Sequence, residues 1–222
     1  LVVATASGRE EFSLFLLGNG ANPNAADAFG LTALHYALPQ GIGGIDSVSV
    51  VYRPFELVSP NMPKLVKALL SHGANPNMQV VKDFSPYSRS PYARITSFVG
   101  LTPFLLAAAA ADLDLMRVLL AASADPKLTL KDGSNALMLA AGVGRVDERP
   151  SKKDESNALE AVKLAAELGN DVNAANGRGR TAVHGAAGIG ANAIIQFLAD
   201  KGANVDAKDR QGNTPLKVAS GT

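Results

Sequence analysis

Gly179-Arg180-Thr181-Ala182-Val183-His184-Gly185-Ala186 is answered 33 residues on by Gly212-Asn213-Thr214-Pro215-Leu216-Lys217-Val218-Ala219. The same block stands at Gly30-Leu31-Thr32-Ala33-Leu34-His35-Tyr36-Ala37, at Gly100-Leu101-Thr102-Pro103-Phe104-Leu105-Leu106-Ala107 and at Gly133-Ser134-Asn135-Ala136-Leu137-Met138-Leu139-Ala140. A second block trails each first one: Gly20-Ala21-Asn22-Pro23-Asn24, Gly73-Ala74-Asn75-Pro76-Asn77, Ser123-Ala124-Asp125-Pro126-Lys127, Gly169-Asn170-Asp171-Val172-Asn173 and Gly202-Ala203-Asn204-Val205-Asp206. A fixed period of this length marks a stack of supersecondary units, none of which buries its apolar face alone.

Each recurring residue has a local task. Thr32, Thr102, Asn135, Thr181 and Thr214 are of the type that accepts a bond from an unpaired amide at a helix start, and Pro103 and Pro215 suit the first helical position. These residues begin a first helix. Leu113 to Leu120 and Ala193 to Leu198 read as second helices, apolar over most of their circumference because repeats on both sides cover them. Gly20, Gly73, Gly169 and Gly202 supply the left-handed residue that ends a helix, and Ser123 stands in that place at a small expected cost in stability. The Asn- and Asp-rich stretch that follows is turn chemistry.

The repeated blocks resemble the ankyrin repeat, with its Thr-Pro-Leu-His-x-Ala signature and 33-residue period, over the whole chain. The resemblance implies an all-α solenoid of helix-turn-helix units with short β-hairpin fingers. It divides the chain into a partial repeat at 1–26, repeats at about 27–79, 80–129, 130–175 and 176–208, and a partial repeat at 209–222. The phrases Lys131 to Met138 and Ala140 to Gly144 look like bacterial multi-repeat ankyrin proteins with inserted loops. Both ends fall inside the unit, Leu1-Val2-Val3 reading as a face that needs something against it. Self-association through the repeat ends is therefore one expectation.

The spacing departs from 33 in three places. Gly30 to Gly73 and Gly133 to Gly169 are too long between first and second helix, by about 20 and 13 residues, and the finger between Gly73 and Gly100 is enlarged by about 17. These insertions, in windows 39–61, 78–96 and 143–157, hold three of the chain's four tyrosines. Loops on a rigid scaffold commonly carry recognition, and tyrosine buries a large area at small entropic cost. Phe84, Tyr87, Arg89, Tyr92 and Arg94 in the finger, with Tyr52 and Phe55 in the first insertion, are the candidate partner contacts. The alternative is that these aromatics fold back onto neighbouring repeats.

Other functions find little support. Lys and Arg total 21 against 20 Asp and Glu, a net charge of +1 that makes nucleic acid a poor default partner. The absence of cysteine removes disulfides, thiolate catalysis and zinc–thiolate sites, and leaves the compartment open. The longest apolar run, Leu101 to Ala111, is too short to cross a bilayer, so no membrane insertion is expected. His35 and His184 fall on the signature position, which the resemblance gives a structural role in fixing the finger, and His72 precedes a helix-ending glycine. Gly41-Ile42-Gly43-Gly44 lacks the Lys-Ser/Thr of a phosphate loop. Asp147-Glu148 and Asp154-Glu155, interleaved with Arg145, Arg149, Lys152 and Lys153, read as a solvated, self-neutralising loop. No catalytic residue, cofactor or metal ligand is expected. The expected function is that of a protein-interaction scaffold using the concave face and the enlarged finger. A head-to-tail structural subunit and a tethering segment of a larger protein are the alternatives.

Overall fold

A computed structural model describes residues 1–38, 61–83, 97–144 and 152–220, and the side chains within this set except those of residues 152–154. The helices fall into two series. First helices are α1 (Val2–Ala6), α3 (Ala33–Tyr36), α5 (Pro103–Ala109), α7 (Ala136–Ala140), α9 (Ala182–Gly188) and α11 (Pro215–Ala219). Second helices are α2 (Glu10–Gly18), α4 (Pro63–Ser71), α6 (Leu113–Ala121), α8 (Lys152–Glu167) and α10 (Asn192–Asp200). Each second helix packs on the first helix of its own hairpin, and successive hairpins stack α1 on α3, α3 on α5, α5 on α7, α7 on α9 and α9 on α11.

The signature polar residues start the first helices as their chemistry requires. Thr102 Oγ1 accepts the Leu105 amide at 3.3 Å, Asn135 Oδ1 the Met138 amide at 2.9 Å and Thr214 Oγ1 the Lys217 amide at 3.3 Å. Small residues then set how closely the first helices approach. Ala107, Ala108 and Ala109 of α5 and Ala136 and Ala140 of α7 are buried, with Leu105, Leu106 and Met138 between them. Gly185 of α9 is the extreme case, since a Cβ there would lie 2.6 Å from the Val143 amide nitrogen and 2.8 Å from the Ala141 carbonyl. The second helices bury a stripe, such as Leu115, Met116 and Leu119 in α6, and expose Arg117 and Asp114 between.

The fingers are tighter than hairpin strands. In each of five fingers one residue donates its amide to a carbonyl four positions on in the regular fingers, and accepts from the glycine amide: Asp27 with Leu31 and Gly30, Leu130 with Ser134 and Gly133, Asn176 with Arg180 and Gly179, Asp209 with Asn213 and Gly212. The third-repeat finger closes in the same way, Val80 pairing with Leu101 and Gly100, with the insertion carried between them. Among the described residues only one isolated bridge, Ala26 to Thr32, has strand geometry. The closure is a single turn, too short for a ladder.

One expectation about the loops needs correction. Lys152 to Glu167 forms a helix of 16 residues where the other second helices have nine, so the stretch with Asp154-Glu155 is the first turn of α8 and not a loop. Ala158, Ala161, Val162 and Ala165 continue the buried stripe toward the helix start, and the Glu155 carboxylate accepts the Ala193 amide of α10 at 3.3 Å. Apolar backing and an anchored carboxylate make the extra turns worth forming.

Ser123 adopts φ 65°, as its glycine counterparts do, and Ala111 takes φ 53° at the turn between α5 and α6, where Gly8 and Gly190 stand in other repeats. A side chain in the left-handed region costs roughly 1–2 kcal/mol, offset in part by the entropy that a glycine loses on folding. Ser123 is exposed, so nothing is lost from the core on removing its side chain. Ser123→Gly is expected to stabilise the chain by about 0.5–1 kcal/mol, read as a rise of about 1–4 °C in melting temperature by circular dichroism.

Candidate partner-binding surface

The finger edge is continuous because each finger is hydrogen-bonded to the next through backbone. The Val81 amide donates to the Phe29 carbonyl at 2.8 Å, the Lys131 amide to Val99 at 2.7 Å, the Gly177 amide to Asp132, and the Arg210 amide to Arg178 at 2.8 Å. Side chains reinforce the turns just behind the fingers. Asn24 donates to the Gly73 carbonyl at 2.9 Å and accepts the Asn75 amide at 2.7 Å. Asn77 holds the Ser123 carbonyl and the Asp125 amide in the same two-handed way, and Asn173 holds Gly202 and Asn204. Lys127 occupies the corresponding place in the third repeat and cannot accept.

Two histidines fix the spacing further in. His35 Nδ1 accepts the Thr32 amide at 3.2 Å, which leaves Nε2–H to donate to the Leu101 carbonyl of the next repeat at 3.2 Å. His184 repeats this with Thr181 at 3.1 Å and the Asn213 carbonyl at 3.1 Å. Burial lowers the His35 pKa to about 4 against the pull of its carbonyl bonds, and burial lowers that of His184 too. Both rings are therefore neutral, bifunctional connectors at pH 7. His72 caps α4, with Nδ1 2.8 Å from the Ala68 carbonyl oxygen.

Charge on the finger edge is sorted by the turns. Asp27 Oδ1 accepts the Phe29 and Leu31 amides at 2.9 and 3.0 Å, Asp132 Oδ1 accepts Ser134 at 2.9 Å, and Asp209 Oδ1 accepts Gln211 and Asn213 at 2.9 Å each. Burial by itself would raise the Asp209 carboxyl, but the amide bonds from Asn213 and Gln211, with Arg180 Nε 3.4 Å away, outweigh it and hold the group below its usual range. Lys82, Lys131, Lys208 and Arg210 are exposed on the same edge, Lys82 lying 5.9 Å from the centre of the Phe29 ring. Between the third- and fourth-repeat fingers a groove of about 510 Å³ opens, lined by Val81, Val99, Thr129 and Lys131 among others.

The residues singled out in the sequence stand differently. Phe84, Tyr87, Arg89, Tyr92 and Arg94, together with Tyr52 and Phe55, lie outside the described residues. The roots of their insertions are described. Asp83 Oδ1 accepts the Phe98 amide at 2.7 Å and the Ser97 hydroxyl at 3.0 Å, tying the entry of the finger insertion to its exit. The Met62 amide donates to Ala37 at 2.9 Å and does the same for the first insertion. The asparagine clamps and the cation row were not singled out from sequence, although Asn24, Asn77 and Asn173, each four residues past a glycine, are readable there.

Comparison with known proteins agrees with this geometry. Profiles described as "Ankyrin repeats (many copies)", "Ankyrin repeat" and "Ankyrin repeats (3 copies)" match residues 1–44, 29–80 and 153–222. The chain belongs to the ankyrin-repeat family. It is 28% identical over 217 residues to the E3 ubiquitin-protein ligase KEG of Arabidopsis thaliana, covering 92% of this chain and 12% of that protein. It is 29% identical over 222 residues to Rabankyrin-5 of Mus musculus, covering 93% of this chain and 17% of the relative. The chain thus spans a small part of either. Ankyrin repeats generally mediate protein–protein interaction. The unmatched stretch 81–152 carries the two insertions that blur the period, yet its fingers close and stack like the rest.

The buried histidines give this ankyrin stack a pH dependence of defined sign. The unfolded chain protonates histidine near pH 6.5 whereas folded His35 resists until about pH 4, so the His35 contribution is fully present above pH 6.5 and lost as pH falls toward 4. Across that window the loss from His35 is on the order of 3 kcal/mol. Urea unfolding at pH 7 and pH 4.5 is expected to show the drop in the parent chain and a smaller drop in His35→Gln.

Proposed function

We propose that this ankyrin domain is a protein-interaction scaffold that holds its partner along the concave face of the first helices and with the enlarged third-repeat finger. The observation that carries this reading is the pinned root of that finger: the turn closure of Val80 on Gly100 and Leu101 is kept intact, and Asp83 ties the entry of the insertion to Phe98 and Ser97. Fixed roots on a stacked edge suit an insertion that carries recognition. Tyr87 and Tyr92 are assigned as aromatic anchors, with Arg89, Arg94 and Phe84 of the same segment as further contacts, and Tyr52 and Phe55 of the first insertion as secondary contacts.

The test is capture. Tyr87→Ala with Tyr92→Ala is expected to abolish retention of the partner on an affinity resin while helicity and melting temperature stay as in the parent. Loss of folding in the double variant would instead make the tyrosines part of the core and sink the assignment.

A second reading, end-to-end self-association, is favoured by one observation. Phe12 is 50% exposed at the register where Leu65, Leu115 and Ile194 are buried, and Leu216 is 79% exposed where Leu34, Phe104, Leu137 and Val183 are buried. Light scattering across a hundredfold dilution should then show mass falling with concentration. A constant monomer mass removes this reading.

A further inference from the structure

We infer that the finger edge of repeats three to six is a docking track for an extended acidic peptide, with one apolar residue seated in the groove between the third and fourth fingers and Asp or Glu at every third position beyond it. The inference rests on the chain being a protein-interaction module and names the chemistry of what that module takes.

Three observations on described residues carry it. The groove of about 510 Å³ presents Val81 and the half-buried Val99 beside Thr129 and Lys131, with Val80 and Leu130 buried behind them, and Val81 is 69% exposed there. A valine left open on a finger edge, beside an open cleft, suits a single apolar side chain of a partner. Lys131 forms the rim of the cleft on the side of the later repeats, and Arg210 takes the same position, two residues before the glycine, in the sixth finger. Arg178 stands between them, half-buried, its carbonyl accepting the Arg210 amide, and the exposed Lys208 lies beside Arg210.

Two carboxylates of this edge are engaged inward. Asp132 and Asp209 each turn Oδ1 onto backbone amides of their own finger, and Asp209 is 6% exposed. Lys131, Lys208 and Arg210 reach solvent, whereas Arg180 lies against Asp209, so a chain with a net charge of +1 presents a locally positive track at these three residues. That low net charge disfavours a nucleic acid, which relies on broad phosphate neutralisation. A polypeptide with a few carboxylates suits it better.

Geometry sets the spacing. Neighbouring helices pack roughly 8–10 Å apart, and an extended chain advances about 3.3 Å per residue, so three residues span one repeat. An apolar residue in the groove therefore places acidic residues three, six and nine positions away along the fourth, fifth and sixth fingers.

Fluorescence anisotropy of the intact chain with two labelled peptides, Leu-Ser-Ser-Glu-Ser-Ser-Glu-Ser-Ser-Glu and its reversed sequence, tests this at low salt. One of the two should bind, about tenfold more tightly than an isomer with its three glutamates contiguous. Lys131→Gln with Arg210→Gln should weaken it about fivefold or more, as should Val81→Ser, with melting unchanged, whereas Lys64→Gln with Lys67→Gln on α4 should not. Absence of binding by both peptides, equal binding of the contiguous isomer, equal loss in the α4 variant, or tighter binding of an oligothymidine of the same charge would each overturn the inference. Partner capture that depends on Tyr87 and Tyr92 but survives the Lys131 and Arg210 substitutions would overturn it while leaving the scaffold reading in place.

Discussion

A helix of four to nine residues is marginal in water, because the first turn fixes several dihedrals for one hydrogen bond and too few later bonds repay it. Ala33–Tyr36 and Ala136–Ala140 cannot exist as isolated helices, and even the nine-residue second helices fall short of the length at which propensity suffices. What makes them helical is the neighbouring repeat. Leu34, Phe104, Leu137 and Val183 hold the same place in successive first helices and are buried because the next hairpin covers each of them. Stacking is thus the constraint on which the rest of the structure depends, and the polar contacts between repeats translate it into one spacing. A histidine that accepts from its own Thr32 and donates to Leu101 measures the distance between two repeats with a single neutral ring.

The same dependence explains why large insertions leave the stack intact. Ladder contacts run from repeat to repeat, so a segment that leaves and re-enters at one point interrupts none of them if its two roots stay joined. Met62 on Ala37, and Phe98 on Asp83, are those joins. The third case is different in kind. Part of the extra length before α8 becomes helix, because Ala158 extends the buried stripe and Glu155 finds the Ala193 amide.

The repeat was legible because its markers are local: a capping Thr or Asn, a proline at the first helical position and a glycine at positive φ each act within a few residues. Ser123 could be recognised as a left-handed residue only from the register of the other four blocks. The helical start of α8 was not legible, since Lys152-Lys153-Asp154-Glu155 has the composition of a solvated loop and its support comes from α10, some forty residues on. The groove and the cation track were missed for the same reason. Lys131 and Arg210 are far apart in sequence, and which of their neighbouring carboxylates turn inward is decided by the finger closure, a matter of three dimensions.

The polar connectors are not evenly spread, and the gap in them has a consequence. Asn24 and Glu10 join the first repeat to the second; Asn77, His35 and Asn61 join the second to the third; Asn173, Asn176 and Glu155 join the fourth to the fifth or to the turn beyond it; His184 joins the fifth to the sixth. Between the third and fourth repeats Leu105 stands at the histidine position and Lys127 at the asparagine position, and among bonds between described side chains and backbone the crossing is left to Asn170 on the Pro126 carbonyl at 3.4 Å. Leucine and methionine packing is strong there but non-directional, whereas a hydrogen bond fixes an angle. The Lys131 to Val99 backbone bond is then the main directional restraint on how the two fingers face each other. The groove lined by Val81, Val99, Thr129 and Lys131 opens at this junction, where few polar ties between described residues hold the fingers together. The weakest stretch of the ladder and the groove thus fall together beside the root of the largest finger.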